Sequence, residues 1–364
     1  MKPASDALTP DATDLANRAR ADLRMGVPVV LRSDAGSLLV LAAETLRDDR
    51  LRAALALGPA DLVLTGRRAQ TLKARAYDGD VARVAVPADA TSRWIRSLAD
   101  PADDLANPMK GPLKTRRDGD ADLHRLASDL VKSARLLPAA LCVTLSNAVT
   151  LPDLTHLDAA DTAPLLGALS PLHRVVAARV PLRAAPDTRL HVFRPDNGSE
   201  EHYVIEIGQP DRDAPVLARL HSACFTGDLL GSLKCDCGPQ LNAALAAMGT
   251  EGAGIMLYLN QEGRGIGLAN KMRAYSLQDQ GFDTVEANHR LGFEDDERDF
   301  RIGADLLKQM GFAAVRLLTN NPAKIAMMQA NGIDVTERVP LNVGRTDQNT
   351  AYLATKAAKS GHLL

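Results

Sequence analysis

The sequence is poor in cysteine and in aromatic residues, and it lacks long apolar runs and an excess of charge of either sign. Only four of its 364 residues are cysteine, and 43 lysines and arginines nearly balance 45 acidic residues. Balanced charge excludes the overall basic field that is typical of nucleic-acid-binding proteins, so we expect no nucleic-acid partner. No run approaches the ~18 apolar residues of a membrane span. The opening residues MKPASDALTPDATDLANRAR show no basic or apolar leader region, so we expect a cytoplasmic protein with no membrane partner.

The sequence does contain enough apolar material for two domains. Hydrophobic residues make up 46% of the chain, and a typical domain takes ~100–200 residues. Short apolar segments such as VPVVL, DLVLT and GIMLYL alternate with helical spacing that ends at a glycine. This alternation predicts an α/β or α+β fold. Two proline-bearing segments, Pro164–Pro171 and VPLRAAPDTRL from Val180, mark the passage from the first domain to the second.

Three of the four cysteines lie close together, in the segment HSACFTGDLLGSLKCDCGPQL. Cys224, Cys235 and Cys237 have the spacing C-x10-C-x-C, and such a cluster in a reducing compartment predicts a metal or catalytic site rather than disulfides. Three thiolates that leave one coordination position for water are typical of catalytic zinc. Two alternatives stay open. One is a closed structural site with His221 or a distant residue as fourth ligand, and the other is buried cysteines that hold no metal.

A glycine-rich segment and several cationic residues indicate an anionic substrate. QEGRGIG follows the strand candidate GIMLYL and precedes a helical run, an order that offers backbone N–H groups to phosphate. In LGFEDDERDF, Asp296 and Arg298 stand between two aromatic residues that would fix them against the core, which favours a catalytic role. The residues at loop ends that suit a polyphosphate are Arg219, Arg264, Lys271, Arg298, Thr319 and Lys324.

These motifs together resemble the GTP cyclohydrolase II family, which carries out the entry reaction of riboflavin synthesis. The matching segments are RLHSACFTGDLLGSLKCDCGPQL, LNQEGRGIGLANKMRAYSLQDQGFDTVEANHRLGF, DERDFRIGADLLKQMG, VRLLTNNPAKI and YLATKAAKSGHLL, in order across residues 174–364. The resemblance implies a mixed α/β domain and a homodimeric, zinc-dependent hydrolase that opens the imidazole ring of GTP. Formate and pyrophosphate would be released, leaving 2,5-diamino-6-(5-phosphoribosylamino)pyrimidin-4-one. One zinc ion per subunit is implied, with magnesium on the pyrophosphate.

The resemblance also implies roles for individual residues. The three clustered cysteines would hold zinc, Tyr275 would position or donate a proton at the opening ring, and Asp296 would accept a proton. Arg298 would act at the α-phosphorus, where a protonated guanidinium is better suited to stabilising charge than to attacking. The implied contacts to GTP are Arg219, Leu220, His221, Ser222, Ala223, Gln240, Glu262, Gly263, Arg264, Thr284, Thr319 and Lys324.

Two positions depart from the family pattern and keep other functions open. Ala223 stands where the family usually has glutamate, directly before the first clustered cysteine, and Phe282 replaces a more usual tyrosine or leucine. Loss of a carboxylate near the metal predicts a changed rate or a product that retains the formyl group. The second function class is a pseudoenzyme or regulator that binds GTP without consuming it.

Residues 11–170 resemble the 3,4-dihydroxy-2-butanone 4-phosphate synthase domain that often precedes this enzyme, in RARADLRMGVPVVL, LLVLAAE and ARLLPAALCVTLSNAVTLPDL. The acidic run that binds magnesium in that domain is reduced here to RSDAGS, and the Thr-Glu expected after His124 is Arg125 and Leu126. A site so poor in carboxylates holds a hard cation badly. We therefore expect an inactive domain retained for dimerisation, stability or regulation. A bifunctional enzyme that also converts ribulose 5-phosphate is the alternative.

Overall fold

The computed structural model describes residues 8–350, 361 and 363. These residues form two compact units, each built around its own β-sheet. Unit 1 contains the described residues up to Ala168 together with Ala269–Phe282 and Glu286–Asp295. Unit 2 contains Leu169–Leu268, Asp283–Val285 and the described residues from Asp296 onward. Helices and strands occur in both units, so the predicted mixed α/β fold class is confirmed.

Unit 1 has a six-stranded mixed sheet. Its strands are β1 (Val29–Ser33), β2 (Gly36–Ala42), β3 (Ala60–Thr65), β4 (Val81–Ala85), β5 (Ala139–Leu145) and β6 (Thr155–Asp158). The strand order is β4-β3-β5-β2-β1-β6, in which β1 and β6 are parallel and the other neighbours are antiparallel. The first six helices are α1 (Ala12–Arg24), α2 (Asp48–Leu55), α3 (Gly66–Thr71), α4 (Ser92–Ala99), α5 (Asp122–Ser133) and α6 (Ala159–Gly167).

The core of unit 1 lies between this sheet and the helices α1 and α5. Leu23 and Leu130 from the helices pack with Leu31 and Val40 from the strands, and Cys142 of β5 belongs to the same cluster. Complete burial raises the pKa of the Cys142 thiol far above its ordinary value. The fourth cysteine of the chain is therefore an inert core residue.

The segment RSDAGS of unit 1 forms a tight hairpin between β1 and β2. Ser33 pairs with Gly36 across the two strands, so that only Asp34 and Ala35 lie in the turn. A two-residue turn offers one carboxylate and no loop in which further acidic side chains could converge.

Unit 2 has a seven-stranded sheet whose halves differ in direction. Its strands are β7 (Leu172–Arg179), β8 (Thr188–Pro195), β9 (His202–Ile207), β10 (Val216–Ser222), β11 (Gly254–Leu259), β12 (Ala314–Leu318) and β13 (Asp334–Val339). The order is β13-β12-β10-β11-β9-β8-β7. The first four strands in this order are parallel and the last three are antiparallel to their neighbours.

Five further helices complete the description: α7 (Cys237–Glu251), α8 (Leu268–Asp279), α9 (Thr284–Leu291), α10 (Arg301–Gln309) and α11 (Pro322–Ala330). One core cluster of unit 2 joins Leu220, Leu257 and Leu317 of the parallel strands to Leu307 of α10. A second cluster joins the sheet to Met248 of α7. The central strand β11 is buried along nearly its whole length, which explains its continuous apolar sequence.

Two elements in and beside the parallel half of the sheet agree with the sequence-based prediction. β11 occupies GIMLYL as expected, and α11 begins with Asn321 as N-cap and Pro322 at its first position. Because β10, β11 and β12 are parallel, the segments that follow them emerge at the same edge of the sheet. None of the described helices is both long and apolar enough to cross a membrane.

Candidate metal centre and substrate site

The three clustered cysteines come together beyond the carboxyl end of β10. Cys224 follows that strand, and Cys235 and Cys237 lie at the start of α7. The Sγ atoms of Cys224 and Cys235 are 3.7 Å apart, and all three sulfurs lie within 4.8 Å of one another. Cys224 and Cys235 are buried and Cys237 is half-buried. The predicted convergence of the three sulfurs is thus present in the structure.

A π-helical turn, Phe225–Leu229, carries the chain from the first sulfur back toward the other two. Its Gly227 N–H donates to the Cys224 Sγ at 3.3 Å. A Cβ at Gly227 would lie 2.8 Å from the Cys235 Sγ and 3.0 Å from the Cys224 Sγ, inside van der Waals contact. Glycine is therefore needed here for space, because any side chain would push the sulfurs apart.

The donor set fits a soft divalent cation. Hydrogen bonds from Cys224 and Cys235, together with burial, raise the pKa of the Cys237 thiol, because three thiolates so close together repel one another. A bound cation removes that repulsion, and three sulfurs suit zinc. Among the described residues, no histidine or carboxylate joins the sulfurs in a group able to share an ion. His221, weighed as a fourth ligand, instead directs its Nε2 to Asp228 at 3.0 Å.

A buried cation lies beside the sulfurs. Arg219 on β10 donates from Nη1 to the Leu318 carbonyl at 3.2 Å and from Nη2 to Gln240 Oε1 at 2.5 Å. Gln240 in turn donates to Asp236 Oδ2 at 2.6 Å. Burial lowers the pKa of Arg219 to about 10, against the opposing charges of Cys237 and Asp236. The guanidinium therefore stays charged at neutral pH and stabilises negative charge at the sulfurs.

The glycine-rich turn after β11 is held in an unusual conformation. Gly263, Arg264 and Gly265 have φ of 65°, 63° and 95°, all in the left-handed region. For arginine this conformation is strained, and such strain is typical of functional sites. Glu262 Oε2 accepts a hydrogen bond from the Phe225 N–H at 2.5 Å, which ties the turn to the cysteine loop.

Asp296 and Arg298 form an ion pair near this turn. Arg298 Nε and Nη2 lie 2.7 and 2.5 Å from the two oxygens of Asp296, and Nη1 lies 3.3 Å from Ser222 Oγ. Burial raises the pKa of Asp296, but the hydrogen bonds and charge of Arg298, with the charge of Arg264, outweigh it and leave the pKa below its ordinary value. Asp296 is therefore an ionised carboxylate across the neutral range.

Lys324 and Thr319 complete the group at the ends of the parallel strands. Lys324 Nζ donates to the Leu220 carbonyl at 2.9 Å and lies 5.0 Å from the centre of the Phe300 ring. The Arg298 guanidinium lies 4.7 Å from the same ring centre, so one aromatic residue supports two cations. Thr319 is buried, and its Oγ1 accepts the N–H of Asn321 at 3.0 Å.

Most of the sequence-predicted site residues of unit 2 thus lie on β10 or in the segments after β10, β11 and β12. Ala223 is half-buried and donates its N–H to the Leu259 carbonyl at 2.8 Å. Thr284 begins α9. Tyr275 lies on α8 in unit 1, with Lys271 Nζ 5.7 Å from its ring centre. The roles of all the predicted site residues, Thr284 and Tyr275 among them, stay predictions.

Sequence reasoning missed three residues of the centre: Gly227, Asp228 and Tyr258. Gly227 and Asp228 lie between the clustered cysteines, in a segment where the sequence pattern singles out only the thiols. Tyr258 lies within β11 and had been treated as part of a buried strand. Its hydroxyl lies 2.9 Å from Asp228 Oδ2. A polar residue inside an otherwise apolar strand was the available signal.

Comparison with known proteins agrees with this geometry. The family model described as GTP cyclohydrolase II matches residues 173–340. A protein named GTP cyclohydrolase-2 from Azospirillum brasilense is 42% identical over 358 residues, covering 95% of this chain and 93% of that protein. The chain belongs to the GTP cyclohydrolase II family.

Two further matches are a relative that aligns with part of the chain and a solved structure. A "Riboflavin biosynthesis protein RibBA" from Bacillus mycoides is 57% identical over 165 residues, covering 45% of this chain and 42% of that protein. A crystal structure of RibBX, a two-domain 3,4-dihydroxy-2-butanone 4-phosphate synthase from A. baumannii, covers 88% of this chain and 98% of its own, with 16% identity and a TM-score of 0.30. A score that low supports no shared fold.

Proposed function

We propose that this member of the GTP cyclohydrolase II family is a cytoplasmic, zinc-dependent enzyme that hydrolyses GTP in riboflavin biosynthesis. It opens the imidazole ring, releases formate and pyrophosphate, and leaves 2,5-diamino-6-(5-phosphoribosylamino)pyrimidin-4-one. The single observation that carries this proposal is the three-sulfur cluster, which no other metal-ligating side chain joins among the described residues. A coordination position left open to substrate is what separates catalytic from structural zinc.

Cys224, Cys235 and Cys237 hold the zinc ion in this proposal. When bound, zinc supplies the Lewis acidity that the attack of water on C8 of guanine requires. Arg219 offsets the negative charge of the thiolates from the buried side of the cluster. Gly227 leaves the space in which the sulfurs converge.

The phosphates of GTP are held by the cations around Phe300. Arg298 and Lys324 lie at this ring, and Arg264 is close enough to lower the pKa of Asp296. Arg298 stabilises charge on the α-phosphoryl group as pyrophosphate leaves, and magnesium binds that pyrophosphate. Asp296, ionised at neutral pH, accepts a proton during the hydrolysis, and the other predicted nucleotide contacts orient the base and the ribose.

The alanine at position 223 favours a variant of this reaction in which the product keeps its formyl group. A residue with no carboxylate precedes the first zinc ligand, so hydrolysis of the formyl group from the opened ring has one fewer acid or base beside it. A product that retains the formyl group is therefore the second candidate outcome. The same observation motivates the alternative of a protein that binds GTP without turnover.

Unit 1 acts, in our proposal, as an inactive relative of 3,4-dihydroxy-2-butanone 4-phosphate synthase that supports a homodimer. The two-residue turn at RSDAGS supports this, since it leaves one acid where a magnesium site would need several. No group of carboxylates and histidines able to hold an ion occurs in the described part of unit 1. His124 is buried, and that burial lowers the pKa of its imidazole. Formation of 3,4-dihydroxy-2-butanone 4-phosphate from ribulose 5-phosphate would show that the protein is a bifunctional enzyme instead.

Incubation of the zinc-loaded protein with GTP tests the proposal. We expect stoichiometric formate and pyrophosphate and a change in the ultraviolet spectrum as the purine ring opens, with the product identified by mass spectrometry. A product heavier by one formyl group would select the second candidate. An unchanged spectrum over hours, with GTP bound, would replace the enzyme with the binding protein.

A further inference from the structure

Asp228 lies in the loop between Cys224 and Cys235, which we call the metal loop. Its carboxylate receives hydrogen bonds from three groups of the site. Asp228 Oδ2 lies 3.0 Å from the Cys224 N–H and 2.9 Å from the Tyr258 hydroxyl. The His221 Nε2 lies 3.1 and 3.0 Å from its two oxygens. The Asp228 side chain is 8% exposed. We call these four groups the Asp228 network.

The network fixes which nitrogen of His221 carries the proton. An ionised carboxylate only accepts hydrogen bonds, so Nε2 must be protonated to bond with Asp228. Burial lowers the pKa of His221, the hydrogen bond with Asp228 opposes this, and the charge of Arg219 adds to the lowering, so the imidazole is neutral. The Nδ1 atom therefore carries a lone pair, and it is buried with no hydrogen-bond partner among the described residues.

Tyr258 holds this arrangement from the neighbouring strand. It lies opposite His221 in the parallel pairing of β10 with β11, and the two rings stack with centres 5.5 Å apart and planes 23° apart. Burial, followed by the charge of Asp228, raises the pKa of the Tyr258 hydroxyl, which keeps it a donor. The imidazole is thus held by stacking as well as by the carboxylate.

The geometry points to Asp228 as a positioning residue of the metal centre. It holds the backbone of Cys224, so that the first sulfur faces the other two, and it holds His221 as the Nε2–H tautomer. Groups that orient metal ligands without touching the metal typically contribute ~10–100-fold to metal affinity or activity. The inference rests on the proposed function for the identity of the metal and its ligands.

A purely structural role makes a different prediction. Asp228 also donates its own N–H to the Cys224 carbonyl at 2.7 Å, so its side chain could serve only to close the local turn. Loss of such a turn contact would lower the stability of the fold. It would change neither the tautomer of His221 nor the metal affinity of chains that remain folded.

The substitution Asp228→Asn separates the two roles, because it keeps the side-chain size and replaces one acceptor oxygen with an N–H donor. Zinc affinity is measured by chelator competition, the metal geometry by the absorption spectrum of the cobalt(II)-substituted protein, and the tautomer by NMR of the imidazole nitrogens. None of these readouts needs turnover of GTP, so their failure is distinguishable from failure of the proposed function. Asp213→Asn, at an exposed position of unit 2, makes the same charge change and serves as control.

We expect Asp228→Asn to lose zinc affinity by about 10–100-fold, to alter the cobalt spectrum and to move the His221 proton to Nδ1. Wild-type zinc affinity, cobalt spectrum and tautomer in the folded variant would overturn the inference.

Tyr258→Phe keeps the inference testable if Asp228→Asn does not fold. This substitution removes one hydrogen bond to the carboxylate and retains the aromatic ring. We expect a loss of zinc affinity of about tenfold, the lower range for one hydrogen bond to a charged group, with an unchanged His221 tautomer. Unchanged zinc affinity in Tyr258→Phe would contradict the network's role in holding the metal loop.

Discussion

The turn after β1 in unit 1 and the loop after β10 in unit 2 differ in whether they can bring metal-ligating side chains together. The first has Asp34 and Ala35 in a closed hairpin, with nothing to converge on an ion. The second runs through a π-helical turn that returns three sulfurs to one point within 4.8 Å. Strand ends become sites when the connecting segment is long enough to return side chains to the sheet edge. Substitutions in the two units should therefore have separable effects.

The largest effect should come from removing one sulfur. Cys235→Ser leaves two thiolates and a weaker oxygen donor, so we expect zinc to be lost and turnover of GTP to fall below detection. Zinc per chain, measured by elemental analysis, and formate release check this. Cys142→Ala, at the buried cysteine of unit 1, should retain full zinc content. Equal zinc in both variants would contradict the assignment of the ligands.

A large effect should follow from Asp296→Asn, which removes the proposed proton acceptor. We expect kcat to fall by ~10²–10⁴-fold with zinc content unchanged. The lowered pKa of Asp296 also sets a sign for the pH dependence. In the wild type, Asp296 should lose its charge only as pH drops through that lowered pKa. A fall in activity at higher pH should therefore report release of zinc from protonated thiols, and the variant should show the same fall.

The matched control for that experiment is Asp305→Asn. Asp305 lies on α10, where it accepts a hydrogen bond from Gln309 at 2.9 Å, and its loss should leave kcat unchanged. A wild-type kcat in Asp296→Asn would show that another group accepts the proton.

An intermediate effect should follow from Gly227→Ala. The added methyl group would lie 2.8 Å from the Cys235 Sγ, and overpacking of this kind costs about 1–3 kcal/mol. We expect zinc affinity to fall by a corresponding factor, measured by chelator competition. Gly167→Ala introduces the same methyl group where nothing lies within 4 Å, and should leave zinc affinity unchanged. Equal affinity in the two variants would show that the metal loop tolerates a side chain at position 227.

The smallest effect on the site should come from breaking a buried ion pair in unit 1. Arg68 is 1% exposed and contacts Asp104 at 2.6 Å. Arg68→Met should lower the free energy of unfolding by ~3 kcal/mol, because Asp104 keeps only its contact with Lys110 and the Leu98 carbonyl loses its buried donor. Zinc bound per folded chain should not change. Arg47→Met, in an exposed pair, should cost at most about 1 kcal/mol. Loss of zinc from folded Arg68→Met protein would show that the two units are coupled.

Much of this site could be predicted from the sequence because its chemistry depends on residue type and spacing. The three cysteines and the glycine-rich turn are contiguous signals, and strand direction then explains why residues far apart in the chain meet. The Asp228 network could not be predicted, since it depends on the register that places Tyr258 opposite His221. The spacing of residues along the sequence does not predict that register.

The long-range contacts of unit 1 could not be predicted from the sequence either. The helices α8 and α9 follow the glycine-rich turn of unit 2, yet most of their residues belong to unit 1. Arg273 of α8 lies 3.0 Å from Glu44 and 2.9 Å from Asp100, and Thr65 donates to the Gly292 carbonyl at 2.9 Å. Such pairs join residues more than a hundred positions apart, and single-sequence patterns carry no information about them.

The most direct measurement is zinc titration of metal-free protein, with formate release from GTP as the readout. We expect no formate without zinc, and activity that rises in proportion to added zinc until one ion is bound per chain. Full activity in the metal-free protein, or zinc bound at one equivalent with GTP left intact, would contradict a hydrolytic zinc held by the three cysteines.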